Sequence, residues 1–404
     1  MSERRFVQAR WVFPTDGEPI ENGTVEIAEG TVVGISGRRV PDAEDLGNVA
    51  LVPGLVNAHT HLEFSHLANP LPAGATFADW ISGVIAERGS RTSSVETSRR
   101  KGLDESRAAG VTGIGEIATS LWPSAEVPEA GSGAGAKLHI FREVLGLSPE
   151  GVSARLQDLE THLAEQATDP VGIARGISPH APYSVHPELL DGAVGLARRH
   201  GATVAMHLAE TAEELELLRT GTGPLVDLFQ RMGIWRPDVV GQGKRPLDLL
   251  RQLAAAPRTL VIHGNFLDAD EIAFVADQPQ MTVVYCPQTH AYFRHPPHPL
   301  PRLLAAGARV ALGTDSRASS HSLGLWEDLL VVRRVFPGLA PSALLDLATR
   351  NGADALGFPD LGRLAEGFPA RLAVVSLTDR GGTGGDPWGT LLADGTRAGA
   401  LPSR

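Results

Sequence analysis

The chain has 404 residues, of which 42% are hydrophobic and 21% are charged, and its formal net charge at pH 7 is −11. This length suffices for one large domain and a smaller one, and the composition is ordinary for a globular protein that folds in water. The acidic balance argues against nucleic acid or an anionic membrane surface as a partner. The sequence contains no apolar run of the ~18 residues that a membrane-spanning helix requires.

Cysteine content and the first residues bear on the cellular compartment. Cys286 is the only cysteine, so the fold cannot depend on an internal disulfide or an oxidising environment. The first six residues are charged but lead into no apolar segment of the kind that a secretory signal contains. We therefore expect a cytoplasmic protein. Cys286 follows an apolar run, and we expect it to be a small buried side chain rather than a nucleophile.

Both ends of the chain have the character of short β-strands. Residues 24–27 and 31–35 alternate apolar and polar side chains around a Glu-Gly turn, which predicts a hairpin. Residues 371–377 form another strand-like run, followed by the glycine-rich stretch 381–385. We predict a small β-sandwich domain built from both ends, residues 1–53 plus 362–404, around a larger domain of residues 54–361. Residues 124–136, rich in Ala, Gly and Ser, are expected to form a mobile loop.

The middle of the chain alternates apolar runs with segments of helical periodicity. Eight apolar runs lie at 51–56, 111–115, 138–142, 171–177, 202–206, 259–262, 281–285 and 309–313. Segments such as 94–109 and 187–200 carry the helical pattern between them. Strands that alternate with helices pair in parallel, and eight units favour an α/β fold of the (β/α)8 TIM-barrel type. A doubly wound sheet is the alternative, but its glycine-rich loop after the first strand is absent.

Imidazole and carboxylate side chains recur where these apolar runs end. Because the active site of a β/α barrel lies at the carboxyl ends of its strands, this recurrence predicts a single site. In chain order the residues concerned are His59, His61, Glu116, Glu143, His180, His207, Glu210, His263, Cys286, His290 and Asp315. Residues 294–301, rich in proline, are expected to form a stiff loop after the seventh strand.

A metal site is the strongest interpretation of this pattern. His59 and His61 are two residues apart, so on an extended strand their imidazoles point to the same side and can reach one ion. With His207 and Asp315 they make a set of three nitrogens and one carboxylate, which suits Zn²⁺ or Fe²⁺ and suits Ca²⁺ poorly. Such an ion lowers the pKa of its bound water to ~7 and so supplies hydroxide at neutral pH.

Catalytic roles follow from position. Glu210, three residues after His207, is placed to carry a proton from the water to the leaving group; the alternative is a solvated residue that opens an acidic helix. His263 could hydrogen-bond the water or the substrate, or bind the metal directly. Asp315 could both bind the ion and orient the hydroxide. Glu116 and Glu143 could support a ligand imidazole or pair with an arginine.

Four segments together resemble a known superfamily. Residues 53–61 (PGLVNAHTH), 207–210 (HLAE), 263–264 (HG) and 313–316 (GTDS) look like the amidohydrolase superfamily, in its mononuclear deaminase and chlorohydrolase branch. The resemblance implies one divalent ion, Zn²⁺ or else Fe²⁺, held by His59, His61, His207 and Asp315. It implies Glu210 as proton shuttle, His263 as the group that orients water, and a homodimer. The dinuclear branch has a carboxylated lysine after strand four, and residues 171–180 contain no lysine.

Two further segments narrow the resemblance. Residues 59–65 (HTHLEFS) and 286–293 (CPQTHAYF) are most similar to aminodeoxyfutalosine deaminase-like proteins, which deaminate an adenine-type ring. This implies substrate contacts from Glu63 at the pocket rim and from His180, Gln288 and Ser316. Gln288 departs from the pattern, because that position is often arginine in those relatives and a glutamine could not replace it in holding a carboxylate. Trp80, Trp122, Tyr292 and Phe293 could pack on the ring, although core packing is the more general role.

The function expected from these residues is hydrolytic deamination of a purine-type or related amino-heterocycle, a small-molecule substrate. One alternative keeps the same machinery and breaks another C–N bond or a C–Cl bond, as in triazine-type or cyclic amide substrates. A remote alternative is a non-catalytic protein that retains the barrel for binding. Bound metal and release of ammonia discriminate among these.

Overall fold

The computed structural model describes residues 4–123, 135–241, 243–379 and 385–402. The predicted loop 124–136 and the glycine-rich stretch 381–385 lie almost entirely outside the described residues. Within the described ranges, no helix combines the length and the apolar character that crossing a membrane demands.

The first fifty residues form short strands, as their alternation predicts. The strands are β1 Arg4–Gln8, β2 Trp11–Val12, β3 Ile20–Glu21, β4 Thr24–Ala28, β5 Thr31–Ser36, β6 Glu44–Asp45 and β7 Val49–Pro53. The predicted hairpin is present, because β4 and β5 pair antiparallel around Glu29 and Gly30, both of which have positive φ. One sheet has the order β5-β4-β1-β6.

Seven of the eight predicted apolar runs contribute strands to the large sheet. The first run, 51–56, is divided between β7 of a small sheet and the first two residues of the first strand of the large sheet. The strands of the large sheet are β8 Leu55–His61, β9 Val111–Ala118, β10 Lys137–Val144, β11 Ile173–Pro179, β12 Thr203–Leu208, β13 Arg258–His263, β14 Met281–Tyr285, β15 Arg309–Leu312 and β16 Asp315–Ser316. Neighbouring strands pair in parallel from β8 round to β15. The strands are almost wholly buried, which explains why they read as continuous apolar runs.

Residues 309–316 close this sheet into a barrel, acting as one strand with a break at Gly313 and Thr314. On one side, the Gly313 N–H donates to the Tyr285 carbonyl at 2.9 Å. On the other side, the Thr314 N–H donates to the His59 carbonyl at 3.1 Å, and β16 pairs in parallel with β8. A Cβ at Gly313 would lie 2.9 Å from the His59 carbonyl oxygen, so this approach requires glycine. The TIM-barrel prediction is confirmed.

Helices follow most of the barrel strands along the chain and continue toward its far end. They are α1 Phe77–Ser90, α2 Val95–Ala108, α3 Val152–Ala164, α4 Pro187–His200, α5 Ala212–Thr220, α6 Pro224–Arg231, α7 Pro246–Leu253, α8 Ala269–Ala276, α9 Pro287–Tyr292, α10 Leu300–Ala305, α11 Leu325–Val335, α12 Pro341–Leu347, α13 Arg350–Leu356 and α14 Pro387–Leu391. The bounds predicted for α4 are confirmed. Proline stands in its first turn, and Gly201 ends it with φ +66°.

Residues 294–299 form the loop predicted at 294–301, and this loop follows strand seven and the short helix α9. The predicted loop extends two residues too far, because α10 begins at Leu300. Both helices carry proline in the first turn, where the missing N–H has no partner within the helix to lose. Pro287 and Pro301 therefore lie at helix starts, whereas Pro296, Pro297 and Pro299 lie in the loop before α10.

The far end of the chain returns to the small domain. Strands β17 Leu372–Ser376 and β18 Arg397–Ala400 join strands from the beginning of the chain in a sheet of order β18-β17-β7-β2-β3. The predicted composite domain from both ends is therefore present as two small sheets. Its limits at residues 53 and 362 stay a prediction.

Candidate metal centre and active-site cavity

Three buried imidazoles meet at the carboxyl ends of two barrel strands. His59 and His61 end β8 and His207 lies near the end of β12, with one ligand atom of each within 4.8 Å of the others. The Nε2 atoms of His61 and His207 are 3.3 Å apart. Among the described residues, neither ring nitrogen of His59 has a hydrogen-bond partner. Buried nitrogens rarely lack partners, so this donor set fits a shared cation.

Asp315, on the closing strand β16, lies beside these imidazoles and adds a carboxylate to the site. Its Oδ1 lies 3.5 Å from His59 Nε2 and 3.7 Å from His61 Nε2. Its backbone has φ +56°, a region that non-glycine residues seldom occupy. Burial raises the pKa of Asp315, but the adjacent His59 imidazole, with the charge of His61, outweighs burial and leaves that pKa below its usual value. The side chain is therefore a carboxylate.

The hydrogen bonds of His207 determine which nitrogen is free. Its Nδ1 lies 2.9 Å from the main-chain oxygen of His180, so Nδ1–H donates a hydrogen bond to that oxygen. The lone pair of Nε2 is then available to bind a metal ion. Burial, with the charges of His59 and His180, lowers the pKa of His207 to about 3. Burial likewise lowers the pKa of His61. Both rings are thus neutral, which is the form that binds metals.

Glu210 and His263 face each other beside this group. Their nearest atoms, Glu210 Oε1 and His263 Nε2, are 3.5 Å apart, and both residues are buried. Burial, followed by the charges of Asp315 and Glu214, raises the pKa of Glu210 well above its usual value. A carboxyl with a raised pKa retains a proton that it has accepted and can deliver it to another atom.

The group lies at the inner end of a cavity of about 430 Å³. Apolar side chains form most of its wall, and four of them, at the mouth, are 41–47% exposed: Ile85, Leu145, Met232 and Ile234. Its polar lining consists of His61, Arg88, Glu143, Arg155, His180, Tyr183, Ser184, His207, Glu210, His263, Asp315 and Ser316. The cavity therefore offers a polar inner end and an apolar outer part.

Comparison with known proteins places the chain in a family. The profile of the amidohydrolase family matches residues 50–396. The chain belongs to the amidohydrolase family. Aminodeoxyfutalosine deaminase of Deinococcus radiodurans is 32% identical over 330 residues, which cover 78% of this chain and 75% of that protein. The 5-methylthioadenosine/S-adenosylhomocysteine deaminase of Nitratidesulfovibrio vulgaris is 31% identical over 381 residues, covering 89% and 80%.

Solved structures show the same fold. An adenosine deaminase from Xanthomonas campestris with bound zinc superposes with a TM-score of 0.76 at 24% sequence identity, covering 98% of this chain and 89% of that one. The predicted family and barrel are both confirmed. Of the four predicted substrate contacts, however, Glu63 and Gln288 lie outside the lining of the cavity.

Glu63 lies behind the cavity wall instead of at its rim. The strand ends at His61, and Leu62–Phe64 forms a 3₁₀ turn that buries the carboxylate. Its oxygens accept hydrogen bonds from Arg88 Nη2 at 2.6 Å and from the Thr119 hydroxyl at 2.9 Å. Arg88, which sequence reasoning missed, lines the cavity in its place. Arg88 Nε has no hydrogen-bond partner among the described residues.

Gln288 does not line the cavity either. Its main-chain N–H and its side-chain Nε2 donate to Asp328 Oδ1 and Oδ2 at 2.9 and 2.8 Å. Burial raises the pKa of Asp328 to about 8. Gln288 therefore joins α9 to α11. The other two predicted contacts, His180 and Ser316, do line the cavity.

The remaining candidates divide between the cavity and the core. Glu116 is fully buried and accepts the Leu62 N–H at 2.8 Å, so it supports the main chain after His61 instead of an imidazole. Glu143 lines the cavity. Cys286 is 1% exposed, as expected. Of the aromatic candidates Trp80 lines the cavity, whereas Trp122, Tyr292 and Phe293 do not.

Proposed function

We propose that this amidohydrolase is a metal-dependent deaminase that hydrolyses the exocyclic C–N bond of a purine-type amino-heterocycle. The observation that carries the proposal is the pairing of Glu210 with His263 beside the three imidazoles and Asp315, at the inner end of the cavity. Relatives at 32% and 31% identity are named deaminases of adenine-type compounds. An amide or chloride leaving group remains the alternative for the same residues.

The ligand set that we propose is His59, His61, His207 and Asp315, holding one divalent ion. Zinc is our first choice, supported by the zinc in the Xanthomonas structure, and Fe²⁺ is second. When bound, such an ion supplies a water molecule whose pKa is lowered to ~7. The neutral rings of His61 and His207 and the ionised Asp315 are the protonation states that this ligation requires.

Glu210 moves the protons in the proposed reaction. A C–O bond forms between the water oxygen and the ring carbon as Glu210 takes a proton from the water. Glu210 passes that proton to the adjacent ring nitrogen. It then carries the proton of the new hydroxyl group to the exocyclic amino nitrogen, so that ammonia leaves as the C–N bond breaks and the ring carbon becomes a carbonyl. The raised pKa of Glu210, caused by burial, suits this transfer at neutral pH. His263 Nε2, 3.5 Å from Glu210 Oε1, is placed to hydrogen-bond the attacking oxygen.

The wall of the cavity favours a heterocycle that carries an extension. His180 and Ser316 at the inner end are the proposed contacts of the ring, while the apolar side chains and Arg88 surround the space toward the mouth. An aminodeoxyfutalosine-like compound is the first candidate substrate, from the relative at 32% identity. A 5-methylthioadenosine-like compound is the second, because that relative matches 89% of the chain.

Metal analysis combined with an ammonia-release assay tests the proposal. The purified protein should contain about one Zn²⁺ or Fe²⁺ per chain, and the metal-loaded form should release ammonia from adenine nucleosides with a modified 5′ end. Triazines and cyclic amides in the same panel test the alternative leaving groups. Metal-loaded protein that releases no ammonia from any member would refute the deaminase function.

Glu210→Gln tests the division of roles at the site. It should retain the metal and lower kcat by roughly 10² to 10⁴-fold, because the amide cannot carry the proton. His59→Ala is the matched control and should lose the metal, since it removes one of the proposed ligands. Loss of metal from Glu210→Gln would show that Glu210 is a ligand and that the assignment is wrong.

A further inference from the structure

A second buried carboxylate holds the main chain at Glu210. Glu214 is the third residue of α5, and its side chain is 0% exposed. Its Oε1 accepts the Ala209 N–H and its Oε2 accepts the Glu210 N–H, each at 2.8 Å. Both oxygens are therefore used by two consecutive peptide groups immediately after the end of β12.

The peptide groups that Glu214 binds lie at a conformationally demanding point. Ala209 has φ +54°, a region that residues with a Cβ seldom occupy, and the surrounding structure must hold it there. The chain turns at Ala209 from β12 toward α5, so the conformation of this residue directs the Glu210 side chain into the cavity. The two hydrogen bonds from consecutive N–H groups to the Glu214 side chain help to hold this turn.

Asn265 holds the same segment from the opposite side. Its Nδ2 donates to the Glu210 main-chain oxygen at 2.9 Å, and the Phe266 N–H donates to the Ala209 oxygen at 3.0 Å. Asn265 is 7% exposed and lies two residues after His263. The N–H and the C=O of Glu210 are thus each bound by a buried side chain from a different part of the barrel.

We propose that Glu214 and Asn265 are positioning residues, which act through the Glu210 main chain to aim its carboxyl at the reacting atoms. The inference rests on the proposed role of Glu210 as proton carrier. Proton transfer depends on hydrogen-bond distance and alignment, so a small displacement of Glu210 lowers the rate with little effect on substrate binding. Glu214 and Asn265 have no other hydrogen-bonding role toward the cavity among the described residues.

Kinetics of two variants test this inference against a control on the same helix. Glu214→Gln replaces one acceptor oxygen with an NH₂ group, which cannot accept the second N–H; Asn265→Leu removes the donor. Each should lower kcat by about tenfold or more and leave KM and metal content within about twofold. Glu216→Gln removes a charge from α5 at a half-buried carboxylate that, among the described residues, accepts a hydrogen bond only from the Thr222 hydroxyl, and it should keep the wild-type kcat.

Hydrogen exchange gives a readout that does not need turnover. The amides of Ala209 and Glu210 should exchange faster in metal-loaded Glu214→Gln than in the wild type, while Glu216→Gln should show wild-type exchange. Unchanged kcat in both positioning variants, unchanged exchange of these amides, or a loss of kcat matched by loss of metal would overturn the inference. If Glu214→Gln fails to fold, the kcat, KM and metal content of Asn265→Leu alone test the inference. Wild-type protein that releases no ammonia refutes the proposed function, and exchange still tests the main-chain contacts.

Discussion

Arg88 and Glu63 show how a residue near a motif can be assigned to the wrong place. Glu63 is two residues after His61, and on a continuing strand it would share the side of the ligand imidazoles. The strand stops at His61, two residues before Glu63, so the strand periodicity does not extend to Glu63. Arg88 lies on α1, where the sequence offers no sign of which face covers the barrel mouth. Its contact with the buried Glu63 carboxylate depends on the tertiary fold.

Replacing Arg88 should affect substrate binding more than the chemical step. Arg88→Met retains much of the aliphatic stem but removes the guanidinium, which lies over the Phe64 ring and in the cavity wall. We expect KM to rise about tenfold with a smaller change in kcat, because the lost interaction is present in both ground and transition states. Steady-state kinetics with the best substrate of the panel measure this effect.

Arg91→Met is the matched control for Arg88→Met. Arg91 also contacts the Glu63 carboxylate, at 3.6 Å, but it does not line the cavity. Its replacement should leave KM near the wild-type value. Equal changes in KM for the two variants would indicate that the effect arises from Glu63 and not from a cavity contact.

At the scale of the elements, the strands could be predicted because burial on both faces makes each of them a continuous apolar run. For the same reason, the side chains at the ends of the strands could be compared by position. This comparison predicted that His59, His61, His207 and Asp315 lie close together, as they do. The turns after the strands could not be predicted. Positive φ at Ala209, His263 and Asp315 arises from contacts with other elements, such as the bond from His298 Nε2 to the His263 oxygen at 3.0 Å.

Asn57 contributes to barrel closure next to the metal site. Its Nδ2 donates to the Thr314 hydroxyl at 2.8 Å, and its Oδ1 accepts the N–H groups of Thr314 at 3.1 Å and His59 at 3.3 Å. Asn57→Leu should leave these buried groups without partners and lower the free energy of unfolding by about 2–4 kcal/mol. It should also weaken metal binding, because His59 and Asp315 lie on the two strands that Asn57 joins.

Chemical denaturation and competition with a metal chelator measure the two effects of Asn57→Leu. Asn351→Leu is the comparison, because the Asn351 side chain makes one hydrogen bond within the described part of the chain, to the Val310 oxygen at 2.8 Å, and does not line the cavity. Asn351→Leu should lower the free energy of unfolding by about 1 kcal/mol and leave the metal affinity unchanged. Equal metal affinity in wild type and Asn57→Leu would contradict a role of closure in shaping the site.

Across the whole molecule, buried histidines outside the site link folding to pH. His139 is 3% exposed, its Nδ1–H donates to the Leu356 oxygen at 2.8 Å, and its ring stacks on Phe141 at 4.2 Å. Burial lowers the pKa of His139 to about 4, although the bond to Leu356 acts in the opposite direction. Its neutral ring therefore belongs to the folded barrel, whereas the unfolded chain titrates near ~6.5.

The sign of the pH effect follows from linkage. Between pH ~6.5 and 4 the unfolded state binds a proton at His139 that the folded state rejects, so folding stability falls as pH falls through this window. Once the pH lies below both pKa values, the protonation of His139 has lowered the free energy of unfolding by roughly 3 kcal/mol. In His139→Gln the loss of stability between pH 7 and pH 4.5 should be smaller than in wild type by about 2 kcal/mol. Denaturant titrations at the two pH values measure it.

Other groups also titrate between pH 7 and pH 4.5. The loss of stability over this range is therefore compared between His139→Gln and the wild type. Metal release at acid pH and the protonation of carboxylates affect wild type and His139→Gln alike, so they cancel when the two pH dependences are subtracted. His321→Gln, at an exposed histidine, is the control and should reproduce the wild-type dependence. A His139→Gln protein with the same loss of stability as wild type would mean that the folded barrel accommodates a charged ring at this position, contrary to its burial against Phe141 and Leu356.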